Sequence, residues 1–173
     1  MNFRSFLASG LAVCLAVSSG WAETAKAVIS GTSDPASVSG VVNLQDTPGG
    51  LQVDAQISKA PPGAHAFHIH EFGACDDTGK AAGGHYNPAG HPHGNTMKAG
   101  VSKVHAGDFG NLTIAADGTG SLKTVVPGLT LSHGKYSVAG RAFVLHEKAD
   151  DFSQPTGNAG SRIGCGPIIV TGK

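Results

Sequence analysis

The chain has 173 residues, enough for one domain of the usual ~100–200 residues and hardly for two. Its 12 Lys and Arg balance its 12 Asp and Glu and form no basic block, which excludes an electrostatic grip on nucleic acid or on an anionic lipid surface. Glycine, at 26 residues, is about twice its usual ~7% share, and 14% of residues are charged against a typical ~25%, so long solvent-facing helices are excluded and turns abound.

In chain order, Arg4, the apolar stretch Phe6 to Val17, and the small residues Ser18, Ser19, Gly20 and Ala22 predict a secretory signal over residues 1–22, cut after Ala22. The apolar stretch is shorter than the ~18–20 residues needed to span a bilayer. The domain is then 23–173. Cys14 leaves with the signal, and Cys75 and Cys165 remain as an even pair, which in an exported chain suggests a disulfide. Closing a loop of about 90 residues stabilises by roughly 4–5 kcal/mol on the chain-entropy model. Residues 23–33 read as a loosely attached start.

Apolar alternation bounded by turn residues then predicts strands over Val38 to Leu44, Leu51 to Ile57, Ala64 to His70, Leu112 to Ala115, Ser121 to Val126 and Lys135 to Leu145. Ala116-Asp117-Gly118-Thr119 carries a hairpin signal. Gly73 to Gly110 and Glu147 to Gly164 are Gly-rich and lack strand character; loops that long in a compact domain usually serve function or an internal clamp. The expectation is an all-β fold, an antiparallel sandwich or barrel.

All nine histidines lie beyond the signal. His68 and His70 are two residues apart in a strand, so both imidazoles face one side of it. His146 ends the strongest predicted strand and joins them, while His93, His105 and Asp108 offer two imidazoles and a carboxylate. His85 can serve either group, and an imidazole without ring protons can bind a metal at each nitrogen. A four-nitrogen set with an open face suits Cu(II); three nitrogens and one oxygen in a closed set suit Zn(II). His65 is out of phase with His68 and reads as a hydrogen-bonded structural group; His91 and His133 sit in polar turns.

These residues resemble the copper,zinc superoxide dismutase family, of the exported bacterial kind. The resemblance runs through Gly63-Ala-His-Ala-Phe-His-Ile-His-Glu-Phe-Gly73, Gly84-His-Tyr-Asn-Pro88, His105-Ala-Gly-Asp108, Val144-Leu-His-Glu-Lys-Ala-Asp-Asp151 and Gly157-Asn-Ala-Gly-Ser-Arg-Ile-Gly-Cys165. It implies a Greek-key antiparallel β-barrel or sandwich of about eight strands with two long metal-bearing loops, and one copper and one zinc per subunit. By the same resemblance copper falls to His68, His70, His85 and His146, and zinc to His85, His93, His105 and Asp108. His85 becomes the bridge, releasing copper and taking up a proton in each cycle. Asp150 links His68 to His93, Cys75 pairs with Cys165, Arg162 attracts and orients the anion, and Thr156 stands at the channel rim. Glu147 and Lys148 shape the field around the opening.

The implied substrate is superoxide and the implied compartment the periplasm, with no nucleic acid, no membrane after signal cleavage, and a homodimer or a monomer as the unit. Phe152-Ser153-Gln154-Pro155 is shorter than the corresponding stretch of animal cytosolic members, which place charges there, so Lys or Arg elsewhere has to steer the anion. The Gly73-Ala74-Cys75 spacing also departs from that branch, and no dimer surface carries over. The rival readings are a periplasmic module that stores or passes copper or zinc, a purely structural sandwich, and a copper-only relative. The intact copper ligands and Arg162 speak against the first, and the zinc set against the last.

Overall fold

Alternation of apolar and polar residues builds the strands of this chain, and the computed structural model describes residues 22–33 and 37–173. The predicted signal lies outside the described residues except for Ala22. Eight strands form: β1 (Thr24–Gly31), β2 (Ser39–Thr47), β3 (Gly50–Ser58), β4 (Gly63–His70), β5 (Asp108–Ile114), β6 (Gly120–Val126), β7 (Ala142–His146) and β8 (Arg162–Gly172). They close a barrel in the order β1-β2-β3-β6-β5-β4-β7-β8, every pairing antiparallel. β3 beside β6 and β4 beside β7 are the non-sequential neighbours of a Greek key. Closure leaves no sheet edge exposed.

In β3, Leu51, Val53, Ala55 and Ile57 point inward beside Val42 and Leu44 of the paired strand β2, which enter the core with them. Near the site the alternation disappears. From Ala66 to His70, β4 is buried on both faces: Phe67 and Ile69 enter the core, while His68 and His70 lie under the long loops. Phe67 stacks on Phe143 of β7 at 4.9 Å between centroids and meets Phe109 of β5 edge-on. Each such pair contributes about 0.5–1.5 kcal/mol beyond area burial and fixes the strands that carry the histidines.

The start of the domain differs from the expectation. Residues 24–31 are not loosely attached: β1 pairs with both β2 and β8 and closes the barrel. Its inward residues Ala25, Ala27 and Ile29 include two alanines, a weak hydrophobic signal, and Val28 faces out. Two predicted strands also change length. β5 begins earlier, at Asp108, and β7 is confined to Ala142–His146 because Gly140 adopts positive φ and breaks the predicted run before it. The predicted hairpin turn joins β5 to β6, with Ala115 N donating to Thr119 O at 2.7 Å. No helix among the described residues is long and apolar enough to cross a membrane.

Candidate metal centre

β4 carries His68 and His70 on its outer face, and β7, paired to it through His68↔Val144 and His70↔Ala142, delivers His146 where the strand ends. The loop between β4 and β5 brings His85, His93 and His105, and Asp108 opens β5. Two groups result, His68/His70/His85/His146 and His85/His93/His105/Asp108; in each, the four donor atoms lie within 4.8 Å of one another. All seven side chains are buried.

Hydrogen bonds fix which ring nitrogens are free. His70 Nδ1 donates to Gly83 O at 3.0 Å and His146 Nδ1, over a long 3.4 Å, to Gly160 O; carbonyls only accept, so each proton sits on Nδ1. The two Nε2 atoms then face each other at 3.2 Å with lone pairs only, an arrangement that a cation between them relieves. His68 Nε2 donates to Asp150 Oδ2 at 2.9 Å and His93 Nε2 to Asp150 Oδ1 at 2.9 Å. This leaves His68 Nδ1 and His93 Nδ1 buried without a hydrogen-bond partner, as is His105 Nδ1. His93 Nδ1 approaches Asp108 Oδ2 to 2.6 Å, and His105 Nδ1 approaches it to 3.2 Å. Neither contact has hydrogen-bond alignment, so nitrogens and carboxylate converge on a common point. Unpartnered buried nitrogens of this kind cost stability unless something fills the point between them, and both groups therefore fit a metal ion.

His85 joins the groups: its Nδ1 lies 2.8 Å from Asp108 Oδ1, leaving its other nitrogen for the β4–β7 histidines. Asp150 joins them a second time through His68 and His93.

His70 and His146 are shifted in the opposite direction to His93. Burial, reinforced by His85 and Arg162, pulls His70 down to about 2 against its bond to Gly83. Burial and the neighbouring His68 likewise lower His146 to about 3. His93 goes the other way: burial pulls it down, but the carboxylates of Asp108 and Asp150 outweigh burial and raise it to about 9. Both carboxylates, despite burial, are held well below the usual range by their imidazole partners.

A cleft of about 500 Å³ reaches His70, His85 and His146 and is flanked by Lys148, Thr156 and Arg162; His93, His105 and Asp108 do not line it. Arg162 is not free to swing, because Nη1 and Nη2 donate to Gly79 O and Gly83 O at 2.6 Å each. The Cys75–Cys165 disulfide, with Cα atoms 5.8 Å apart, ties this same loop to β8. His65 contacts the carbonyls of His146 and Pro61 at 2.8 Å each and belongs to neither group; nor do His91 and His133. Sequence reasoning missed Gly83, whose carbonyl receives both His70 and Arg162, and Asn111 and Gln154, whose side chains bind the backbones of Asp150 and His93.

The family model described as copper/zinc superoxide dismutase matches residues 38–168. An extracellular superoxide dismutase [Cu-Zn] of Caenorhabditis elegans is 38% identical over 141 residues, covering 78% of this chain and 62% of the worm protein. Superoxide dismutase [Cu-Zn] 3 of Arabidopsis thaliana is 39% identical over 132 residues, covering 72% of this chain and 78% of the plant protein. Among solved structures, that of the clock protein EA4 superposes with a TM-score of 0.76 at 32% identity, covering 88% of this chain and 97% of that one.

Proposed function

The chain belongs to the copper/zinc superoxide dismutase family, and from that premise we propose that it converts two superoxide ions and two protons to dioxygen and hydrogen peroxide. The observation that carries this reading is the pair of four-donor groups sharing His85, of which the cleft beside Arg162 reaches only one. His68, His70, His85 and His146 hold the copper; His85, His93, His105 and Asp108 hold the zinc. When bound, copper supplies one-electron exchange and zinc fixed positive charge.

The residues of the chain do the remaining work. Arg162, anchored by Gly79 O and Gly83 O, presents its guanidinium to the cleft, draws in the anion and orients it by hydrogen bonding. Lys148 at the same cleft supplies the attraction that the short stretch after Asp151 lacks, and Thr156 bounds the rim. His85, with Nδ1 on Asp108, keeps its other nitrogen toward the cleft, where it would hand one proton to the reduced dioxygen, the second coming from solvent. Asp150 keeps the Nε2 protons of His68 and His93, so that each ring offers Nδ1 to its group.

Export is supported by the signal read at residues 1–22, the extracellular relative and the disulfide, and the proposed compartment is the periplasm. The working unit is a homodimer or a monomer, which sedimentation distinguishes. The test of the activity is superoxide decay catalysed by the disulfide-oxidised protein starting at Glu23, with both metals counted on the same sample. Copper-dependent decay with one copper and one zinc is expected; two filled groups without turnover would replace the enzyme with a metal-storing module.

A further inference from the structure

We propose that Gln154 is a positioning residue for the zinc-side group, its side-chain amide holding the backbone of His93 in the place of a neighbouring strand. The proposal rests on the reading of His85, His93, His105 and Asp108 as the zinc set. His93 N donates to Gln154 Oε1 at 3.0 Å, and Gln154 Nε2 donates to His93 O at 2.9 Å. These are the only hydrogen bonds to the His93 backbone among the described residues. The other two imidazoles of the set are held by main chain. His85 bridges to His70 of β4, and His105 N donates to Pro92 O.

The partner of His93 is gripped in the same manner. Asn111 Nδ2 donates to Asp150 O at 2.9 Å, and Asn111 Oδ1 accepts from Asp150 N at 2.7 Å. The His93 Nε2 to Asp150 Oδ1 bond is thus held at both ends by side-chain amides, one from β5 and one from the stretch after Asp151. That stretch is stiff. Ser153 N donates to Asp151 Oδ1, Gly157 N to Ser153 O, and Asn158 Nδ2 to both Asp151 Oδ2 and Ser153 Oγ. The ring of Phe152 lies over His93 at 6.4 Å and 20°. A short, self-braced stretch therefore carries Gln154 to the one zinc-side imidazole with no main-chain partner, and orients its ring so that Nδ1 faces Asp108 and Nε2 faces Asp150.

Removing Gln154 loses both hydrogen bonds that hold a metal-ligating residue in place, for which about a tenfold loss of metal retention is expected. The experiment loads the full, disulfide-oxidised protein with copper and zinc, adds excess chelator, and follows the release of each metal separately. Zinc should leave Gln154→Ala about tenfold faster than the parent, with copper release unchanged within about twofold. Gln154→Met, of similar length but without the amide, should match Gln154→Ala; zinc release from it at the parent rate would overturn the proposal. Equal acceleration for both metals would mean general loosening and would also overturn it. Amide exchange of His93 in the parent needs no variant: the proposal requires protection there, and free exchange contradicts it. A parent that takes up no zinc defeats the underlying assignment together with this one, whereas zinc held equally well by parent and variants defeats this one alone.

Discussion

The histidines of β4 and β7 and those of the loop before β5 solve one problem, holding several imidazoles around a point, by different means. His68, His70 and His146 stand on paired strands over an aromatic core, and their register is fixed by the ladder that builds the barrel. His93 and His105 stand on a loop where the Asp108 carboxylate draws the rings together; main chain holds His105, and for His93 a side-chain amide replaces the ladder. Burial holds strand-borne His70 and His146 well below the usual imidazole range, and both line the cleft; the carboxylates of Asp108 and Asp150 raise loop-borne His93 to about 9, and it lies away from the cleft. The cleft therefore opens on rings held by the strand ladder, and the two carboxylates act on a ring held by the loop.

The sharpest way to separate the two regions is His146→Ala, which removes a strand-borne donor and leaves the loop-borne set complete. Turnover should fall at least about a thousandfold in a superoxide-decay assay while zinc content stays at one per chain, because the loss removes a whole ligand and not a bond to one. Undiminished activity would contradict the copper assignment.

A second contrast is in pH. Asp108 and Asp150 hold a proton on His93 up to about pH 9, and zinc has to displace it, so apparent zinc affinity should rise about tenfold per pH unit from neutrality and flatten above about pH 9. His70 and His146, at about 2 and about 3, add no such slope for copper. Chelator competition with each metal across this range checks both signs, and a flat zinc profile would remove the distinction.

Gly157 tests how tightly the loop side is built. It sits at φ 74, and a Cβ there would collide with Asp150 Oδ1 and come within 2.7 Å of His93 Nε2. Gly157→Ala should cost roughly 1–3 kcal/mol of stability, combining backbone strain with displacement of Asp150, and should lower zinc content before copper content. Denaturant unfolding with metal analysis measures both. The smallest expected effect is at the cleft: Arg162→Ala should slow catalysis about tenfold, the value of about one charge-assisted hydrogen bond, and flatten its dependence on ionic strength. A variant whose rate falls with salt as steeply as the parent's would reject the steering role.

The strand side was the more legible in the sequence. A His-x-His pair in an alternating segment states its own geometry, and the apolar alternation of β2, β3 and β6 marks the barrel. β1 escaped notice because alanines supply its buried face. On the loop side the ligand residues were readable as residue types, but not what holds them. Asn111 lies 39 residues from Asp150, and Gln154 lies 61 from His93. An amide that pairs with a distant backbone leaves no local periodicity, and neither does a carbonyl such as that of Gly83, which serves His70 and Arg162 together.

The division of labour between the two groups is tested most directly by removing one metal at a time from one preparation of the oxidised protein and measuring superoxide decay after each removal. Decay should be abolished when copper alone is taken, persist when zinc alone is taken, and return when copper is restored. Decay that survives the loss of copper, or that follows zinc instead, would contradict that division.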